Sequence, residues 1–327
     1  MCSLCQIYTL EHNNYKSIRK IKYFDLITSS KERYFNLIIL QDGRIGASTY
    51  KYSIVILNQN TLNCIFEIVH AHDSKIYYLS QLNNQKLLSS SKDTTIKIWN
   101  LLLKHFFLET VIKGHTSDIY KVIPITKNRI ASCSLDSSIR IWKGVKPYNQ
   151  VTSFTQDGAI RSIIQLKSKE ILLSGSNAQT LLFWDLTSKK KIALIQNVTC
   201  NSMNAIYEIS NGKVIIGNCD IQNILLIVNI LTYQIETLIT NPIFIDKDTS
   251  SWFGIFSFME LEGSIIVGCP NGNYYQISIT DYKCSSKGEH LHQDSIEQLS
   301  LIDEKAFISS SVDGLIKKWC WETNEVK

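Results

Sequence analysis

Apolar residues in this chain come in short bursts separated by polar turns, and the bursts recur on a fixed ruler. The stretch GHTSDIYKVIPITKNRIASCSLDSSIRIW, from Gly114 to Trp142, shows the unit: apolar runs at Ile119 to Ile125 and Ile130 to Cys133, then a third ending at Trp142. Runs this short, rich in Ile, Val and Leu and bounded by Asn, Asp, Gly and Ser, predict strands rather than helices. Apolar pairs at the same place in each unit recur as Ile76/Leu79, Ile119/Val122, Ile160/Ile163 and Ile296/Leu299. Asn-Asn, Lys-Asn and Asn-Gly pairs lie between consecutive runs, which is the chemistry of tight hairpin turns. A small sheet built from one such unit cannot cover its own apolar faces, so the units must stack on one another.

Polar landmarks sit on the same ruler. Asp136 follows His115 by 21 residues and Trp142 follows Asp136 by six; the frame repeats without a gap at His72, Asp93, Trp99 and at His292, Asp313, Trp319. Equivalent positions 57, 99, 142, 184, 228, 277 and 319 are separated by 42, 43, 42, 44, 49 and 42 residues. On these residues the chain resembles the WD-repeat (WD40, transducin β-like) family, whose unit is one blade of a β-propeller. The resemblance implies an all-β fold: a seven-bladed β-propeller of four-stranded antiparallel blades.

The units differ in how fully they keep the frame. Leu57, Val228 and Ile277 replace the Trp in units 1, 5 and 6, and Tyr50-Lys51 replace the turn Asp in unit 1. Unit 4 has Gln156 at the His position, Asn177 at the Asp position and one extra residue before Trp184. After Trp319 too little chain remains for a last strand, so Ser17 to Phe24 is expected to supply it and close the ring, as the resemblance implies. Residues 1–16 are then an N-terminal extension of uncertain structure and 17–327 a single propeller; a further strand at Cys5 to Leu10 is the alternative.

Composition narrows the class. Apolar residues make up 44% of 327 residues and the net charge is +5 without a long basic block. That balance supports a folded core and gives little reason to expect nucleic acid or an anionic membrane as the main partner. The nine cysteines are odd in number and irregularly spaced, which reads as reduced thiols in a cytoplasmic or nuclear protein. No apolar run approaches a membrane span, and the first residues do not read as a signal peptide.

His, Ser, Asp and Trp recurring together raise a Ser–His–Asp hydrolase triad as one reading. Three copies favour a structural staple instead, because an enzyme needs one site and a repeat needs one per unit. Cys2-x-x-Cys5 is half a zinc site with no second half, and His72, two residues from His70, is already claimed by the staple, so no metal or cofactor is expected.

The resemblance also implies a binding face where the His connections and Asp turns meet. Its positions map to Lys75, Tyr77 and Lys92; Asp118, Tyr120 and Leu135; Ala159, Arg161 and Ser176; Ser295, Glu297 and Val312. Tyr77, Tyr120 and Arg161 on successive units mark a peptide- or protein-binding patch. The insertion at 241–251, with Phe244, Ile245, Trp252 and Phe253, is expected on the same face. The functional expectation is a non-catalytic scaffold, a monomeric ring inside a larger complex. A ubiquitin-ligase substrate receptor and a propeller enzyme are the alternatives.

Overall fold

The structure, a computed structural model, describes residues 21–27, 33–83, 85–102, 105–144, 147–167, 169–196, 198, 203–218, 225–239, 257–288 and 291–321. The first strand, β1 (Ile21–Ile27), belongs to the last sheet. Blade 1 is β2 (Tyr34–Ile39), β3 (Ile45–Thr49), β4 (Ile54–Leu57) and β5 (Cys64–Ile68). Blade 2 is β6 (Ile76–Asn83), β7 (Lys86–Ser91), β8 (Ile96–Leu102) and β9 (His105–Ile112). Blade 3 is β10 (Ile119–Ile125), β11 (Arg129–Ser134), β12 (Ser138–Lys143) and β13 (Asn149–Thr155). Blade 4 is β14 (Ile160–Gln165), β15 (Ile171–Ser176), β16 (Thr180–Asp185) and β17 (Lys190–Ile195). Blade 5 is β18 (Met203–Glu208), β19 (Lys213–Asn218), β20 (Leu225–Asn229) and β21 (Gln234–Ile239). Blade 6 is β22 (Ser257–Leu261), β23 (Ser264–Gly268), β24 (Tyr274–Ser278) and β25 (Cys284–Gly288). Blade 7 is β26 (Ile296–Leu301), β27 (Ala306–Ser311), β28 (Ile316–Trp321) and, as its fourth strand, β1. Every sheet is antiparallel. Among the described residues there is no helix, and so none long and apolar enough to cross a membrane.

The borrowed strand closes the ring. Ile21 pairs with Trp321 and Ile27 with Lys317. The sequence placed this strand at Ser17 to Phe24; the paired span runs on to Ile27, because the far end of β28 finds its partners at Leu26 and Ile27. Residues 1–20, including Cys2, Cys5 and the alternative strand at Cys5 to Leu10, lie outside the described residues, as do the insertion at 241–251 and Trp252 and Phe253.

One irregularity repeats in all seven sheets. Where the third strand reaches the Trp position, the fourth strand carries one extra residue: Ile98 faces Thr110 but Trp99 faces Leu108, and Ile141 faces Thr152 but Trp142 faces Gln150. The same step occurs at Leu57, Trp184, Val228 and Ile277. In blade 7 the borrowed strand reproduces it, with Lys318 facing Leu26 and Trp319 facing Phe24. A bulge of this kind deepens the local twist that each blade needs.

The core is divided among the seven junctions between neighbouring blades, one apolar cluster to each. Trp99 packs between blades 1 and 2, Trp142 between 2 and 3, Trp184 between 3 and 4 and Trp319 between 6 and 7. Leu57, Val228 and Ile277 fill the corresponding slots at the other three junctions. The slot therefore asks for apolar volume, and the indole is needed only where there is a polar partner for its N–H. At blade 6 the turn between β23 and β24 holds Gly272 at φ +77°, where a Cβ would lie 1.9 Å from the His292 carbonyl oxygen. Only glycine lets blade 6 approach blade 7 so closely.

Candidate functional site

Each complete blade is held by one hydrogen-bond chain. In blade 3, Trp142 Nε1 donates to Ser132 Oγ (2.9 Å), which lies 2.8 Å from His115 Nε2, while His115 Nδ1 lies 2.8 Å from Asp136 Oδ2. The corresponding distances are 2.8, 2.7 and 2.7 Å in blade 2, through Trp99, Ser89, His72 and Asp93. In blade 7 they are 2.7, 2.7 and 2.8 Å, through Trp319, Ser309, His292 and Asp313. A neutral imidazole with its proton on Nδ1 satisfies every member, with the serine hydroxyl donating to Nε2. Burial holds the three histidines below their ordinary range although the aspartates pull the other way. Burial alone would raise the aspartates; hydrogen bonds from the histidines and neighbouring backbone and hydroxyl groups overcome it and lower them. Ser89, Ser132 and Ser309 are fully buried, so no substrate carbonyl reaches these hydroxyls.

Blade 4 builds a neutral version. Trp184 Nε1 donates to Ser174 Oγ (2.9 Å), Ser174 donates to Gln156 Oε1 (2.6 Å), and Gln156 Nε2 donates to Thr180 Oγ1 (2.9 Å). Asn177 is not part of it; its Oδ1 accepts the Ala159 N–H at 2.7 Å. Ser176 pairs with Ile160 as Ser134 pairs with Ile119, so the extra residue lies in the hairpin between β14 and β15, not before Trp184. The Asp position is therefore Ala178, and Ser176, expected on the exposed face, is fully buried with Asn177 exposed in its place. In blade 5, Val198 stands where the histidine would: its N–H bonds the Gln179 carbonyl as the His292 N–H bonds that of Gly272. A buried valine in the same apolar cluster as Val228 replaces the polar chain there.

The ring encloses a central cavity of about 280 Å³ lined from the innermost strand of every blade. Its mouth is shaped by a second repeated bulge. Tyr77 is the extra residue of β6, Tyr120 of β10, Arg161 of β14, Glu297 of β26 and Phe35 of β2. A bulge re-aims the side chain it carries, which is how five blades each present one residue to the opening.

These side chains form a continuous row. Lys75 Nζ lies 3.6 Å from the Phe35 ring centroid and 5.4 Å from that of Tyr77. Tyr77 and Tyr120 are 4.9 Å apart, and the Arg161 guanidinium carbon is 5.0 Å from the Tyr120 centroid. The Tyr77 hydroxyl donates to Asp118 Oδ2 at 2.9 Å, and burial with this bond pushes the phenol well above its ordinary range. Burial lowers the Lys75 ammonium and pushes Glu297 up to about 7, with Lys75 pulling Glu297 back down. Arg161 Nε is buried without a hydrogen-bond partner.

A row of carboxylate and amide side chains ties the blades where the innermost strands end. Gln81 accepts the Gln41 N–H (2.7 Å), Gln165 the Thr126 N–H (2.9 Å), Glu208 the Lys167 N–H (2.5 Å) and Glu260 the Ser210 N–H (3.0 Å). The sequence reading missed these clamps. Gln81 and Gln165 both stand nine residues after the His position of their unit, and that recurrence was the available signal.

The family model described as "WD domain, G-beta repeat" matches residues 62–100 and 107–143, the spans that carry the Trp99 and Trp142 staples. By these matches the chain carries two WD repeats, and it folds as a seven-bladed β-propeller. No curated protein matches it. WD propellers are typical of protein-interaction scaffolds.

The other face residues inferred from the WD frame are distributed unevenly. Lys92 and Leu135 are exposed, Leu135 at 41%, and their N–H groups bond the carbonyls of Lys75 and Asp118. Val312 bonds Ser295 in the same way and is half-buried. Ala159 is buried and offers nothing to a partner. Tyr77, Tyr120 and Arg161 come together at the mouth with Lys75 and, across Phe35, Glu297. Phe35 was not anticipated, because unit 1 lacks the histidine from which the position is counted. Among the described residues no cluster of His, Cys, Asp and Glu can hold a metal ion.

Proposed function

We propose that this WD ring is a non-catalytic interaction platform that binds a peptide or protein segment at the mouth of its central cavity, within a larger assembly. The carrying observation is the row Tyr77–Tyr120–Arg161, placed by bulges on three successive blades at the rim of the cavity. Aromatic and arginine side chains in a concave, partly desolvated setting are the usual anchors of binding energy. A cytoplasmic or nuclear location belongs to the same proposal and rests on cysteine usage alone.

Affinity capture from the native cell tests it, comparing wild type with Tyr77→Ala/Tyr120→Ala/Arg161→Glu after both are shown to melt at the same temperature. A defined set of proteins lost only from the variant supports the platform. An unchanged set places binding elsewhere on the ring.

A further inference from the structure

We infer that the mouth receives an acidic side chain, glutamate or aspartate, from a peptide segment of the partner, with its carboxylate on Arg161 and its stem against the Tyr77–Tyr120 pair. This rests on the reading of the mouth as the interaction face and names the chemistry that fits it.

The row of side chains has a direction in charge. Its cation–π positions are taken from within: Lys75 covers Phe35 and reaches Tyr77, and Arg161 covers Tyr120. A cationic side chain seeking an aromatic face here would have to displace one of the ring's own cations. An anion meets the opposite situation. Arg161 Nε is buried with no acceptor, and no carboxylate lies within ion-pair distance of this guanidinium among the described residues. A buried donor without an acceptor is costly, and an incoming carboxylate removes that cost while forming a charge-assisted bond.

Neighbouring charges preserve the vacancy. Asp118, the nearby acid of the mouth, accepts the Tyr77 hydroxyl at 2.9 Å. Lys121 donates to Ser162, the residue after Arg161, at 3.4 Å, which adds a second positive charge to the lining of the same cavity. Glu297 faces Lys75 rather than Arg161. At about 280 Å³ the cavity is at the lower limit of small-molecule sites, which suits an inserted side chain better than a cofactor. Leu135, exposed beside Asp118, offers apolar contact to a neighbouring residue of the same segment.

The test is a selection of random capped twelve-residue peptides displayed against the full chain, followed by binding measurements on the enriched sequences. The expected outcome is Glu or Asp fixed at one position. Arg161→Gln should then weaken binding at least about tenfold, as should Glu→Gln in the peptide, with no further loss when both are changed. Arg161→Lys should fall between, since it keeps the charge and loses the fork. Equal melting temperatures exclude a folding effect, and if Arg161→Gln melts early the peptide Glu→Gln arm alone decides.

A basic consensus, or an acidic one indifferent to Arg161→Gln, overturns this inference; the platform reading survives if Tyr77→Ala/Tyr120→Ala still abolishes binding. Replacement of the acidic residue by phosphoserine with a gain above about tenfold also overturns it, in favour of a phosphate. No enriched peptide, or peptides insensitive to all these variants, overturns both readings.

Discussion

Replacing Asp136 by alanine tests whether the blade staple stabilises through charge. Asp136 Oδ2 accepts from His115 Nδ1 (2.8 Å) and the Thr116 N–H (3.0 Å), and Oδ1 accepts the N–H (3.0 Å) and hydroxyl (2.6 Å) of Ser138. Its removal leaves the buried imidazole N–H with only the longer Ser138 contact of 3.3 Å. A buried donor stripped of its acceptor costs about 1–3 kcal/mol. A second route gives a similar figure. The carboxyl titrates at about 2 in the fold. A free aspartate titrates at about 3.9, and that difference is worth about 2–3 kcal/mol. Because the folded value is depressed, the stabilisation is present above about pH 4 and is lost as pH falls through about 2. The Asp136→Ala penalty should therefore be about 2–3 kcal/mol at pH 7 and about half that at pH 3. Gln156→Ala in blade 4 is the control, since it breaks a neutral chain and should cost the same at both pH values. Urea unfolding followed by circular dichroism, with unchanged slopes, measures all four differences. An Asp136→Ala penalty below about 0.5 kcal/mol at pH 7, or one equal at both pH values, would refute the reasoning.

Two further outcomes follow from packing and burial. Gly272→Ala must relieve both a left-handed backbone and the collision with the His292 carbonyl. It should cost about 3–5 kcal/mol, whereas Gly263→Ala, with φ +76° and nothing within 4 Å, should cost about 1 kcal/mol, as read by denaturant midpoints. Equal penalties would mean that the junction between blades 6 and 7 yields more easily than its geometry suggests. For Glu297 the folded value is raised to about 7, so stability present at acidic pH is lost as pH climbs from about 4 through 7. Glu297→Gln should raise the melting temperature at pH 8 and leave it nearly unchanged at pH 4; an equal rise at both would argue against the buried carboxyl as its source.

Much of the ring was legible because repetition turns weak local signals into a ruler. His72, His115 and His292 share identical offsets to their Asp and Trp partners, and that alone located three blades. Counting failed where a hairpin changed length. One added residue between β14 and β15 moved the Asp position from Asn177 to Ala178 and turned Ser176 inward. It failed again where no polar landmark existed: Val198 and Phe35 occupy the histidine slot and the mouth position of their blades, and neither residue type announces the role. The clamps through Gln81, Gln165, Glu208 and Glu260 join residues about 40–50 apart, and no local propensity encodes such pairings. The charge logic of the mouth was also hidden, because it depends on which cation covers which ring, a matter of packing.

The strand borrowed for blade 7 sets a temporal order on folding. Ile21 pairs with Trp321, a contact that spans nearly the whole chain, and contacts so distant in sequence form late. At ordinary rates of synthesis, β1 emerges from the ribosome on the order of 15–60 s before β28 exists. For that interval β1 is a β-strand without a sheet, and blades 1 to 6 can assemble around a seam that cannot seal. The apolar faces at that seam, among them Tyr34, Leu37 and Ala47 on blade 1, wait for Ile308 and Ile316. The nascent arc is thus most open to aggregation, and most in need of a chaperone, just before the final blade closes it.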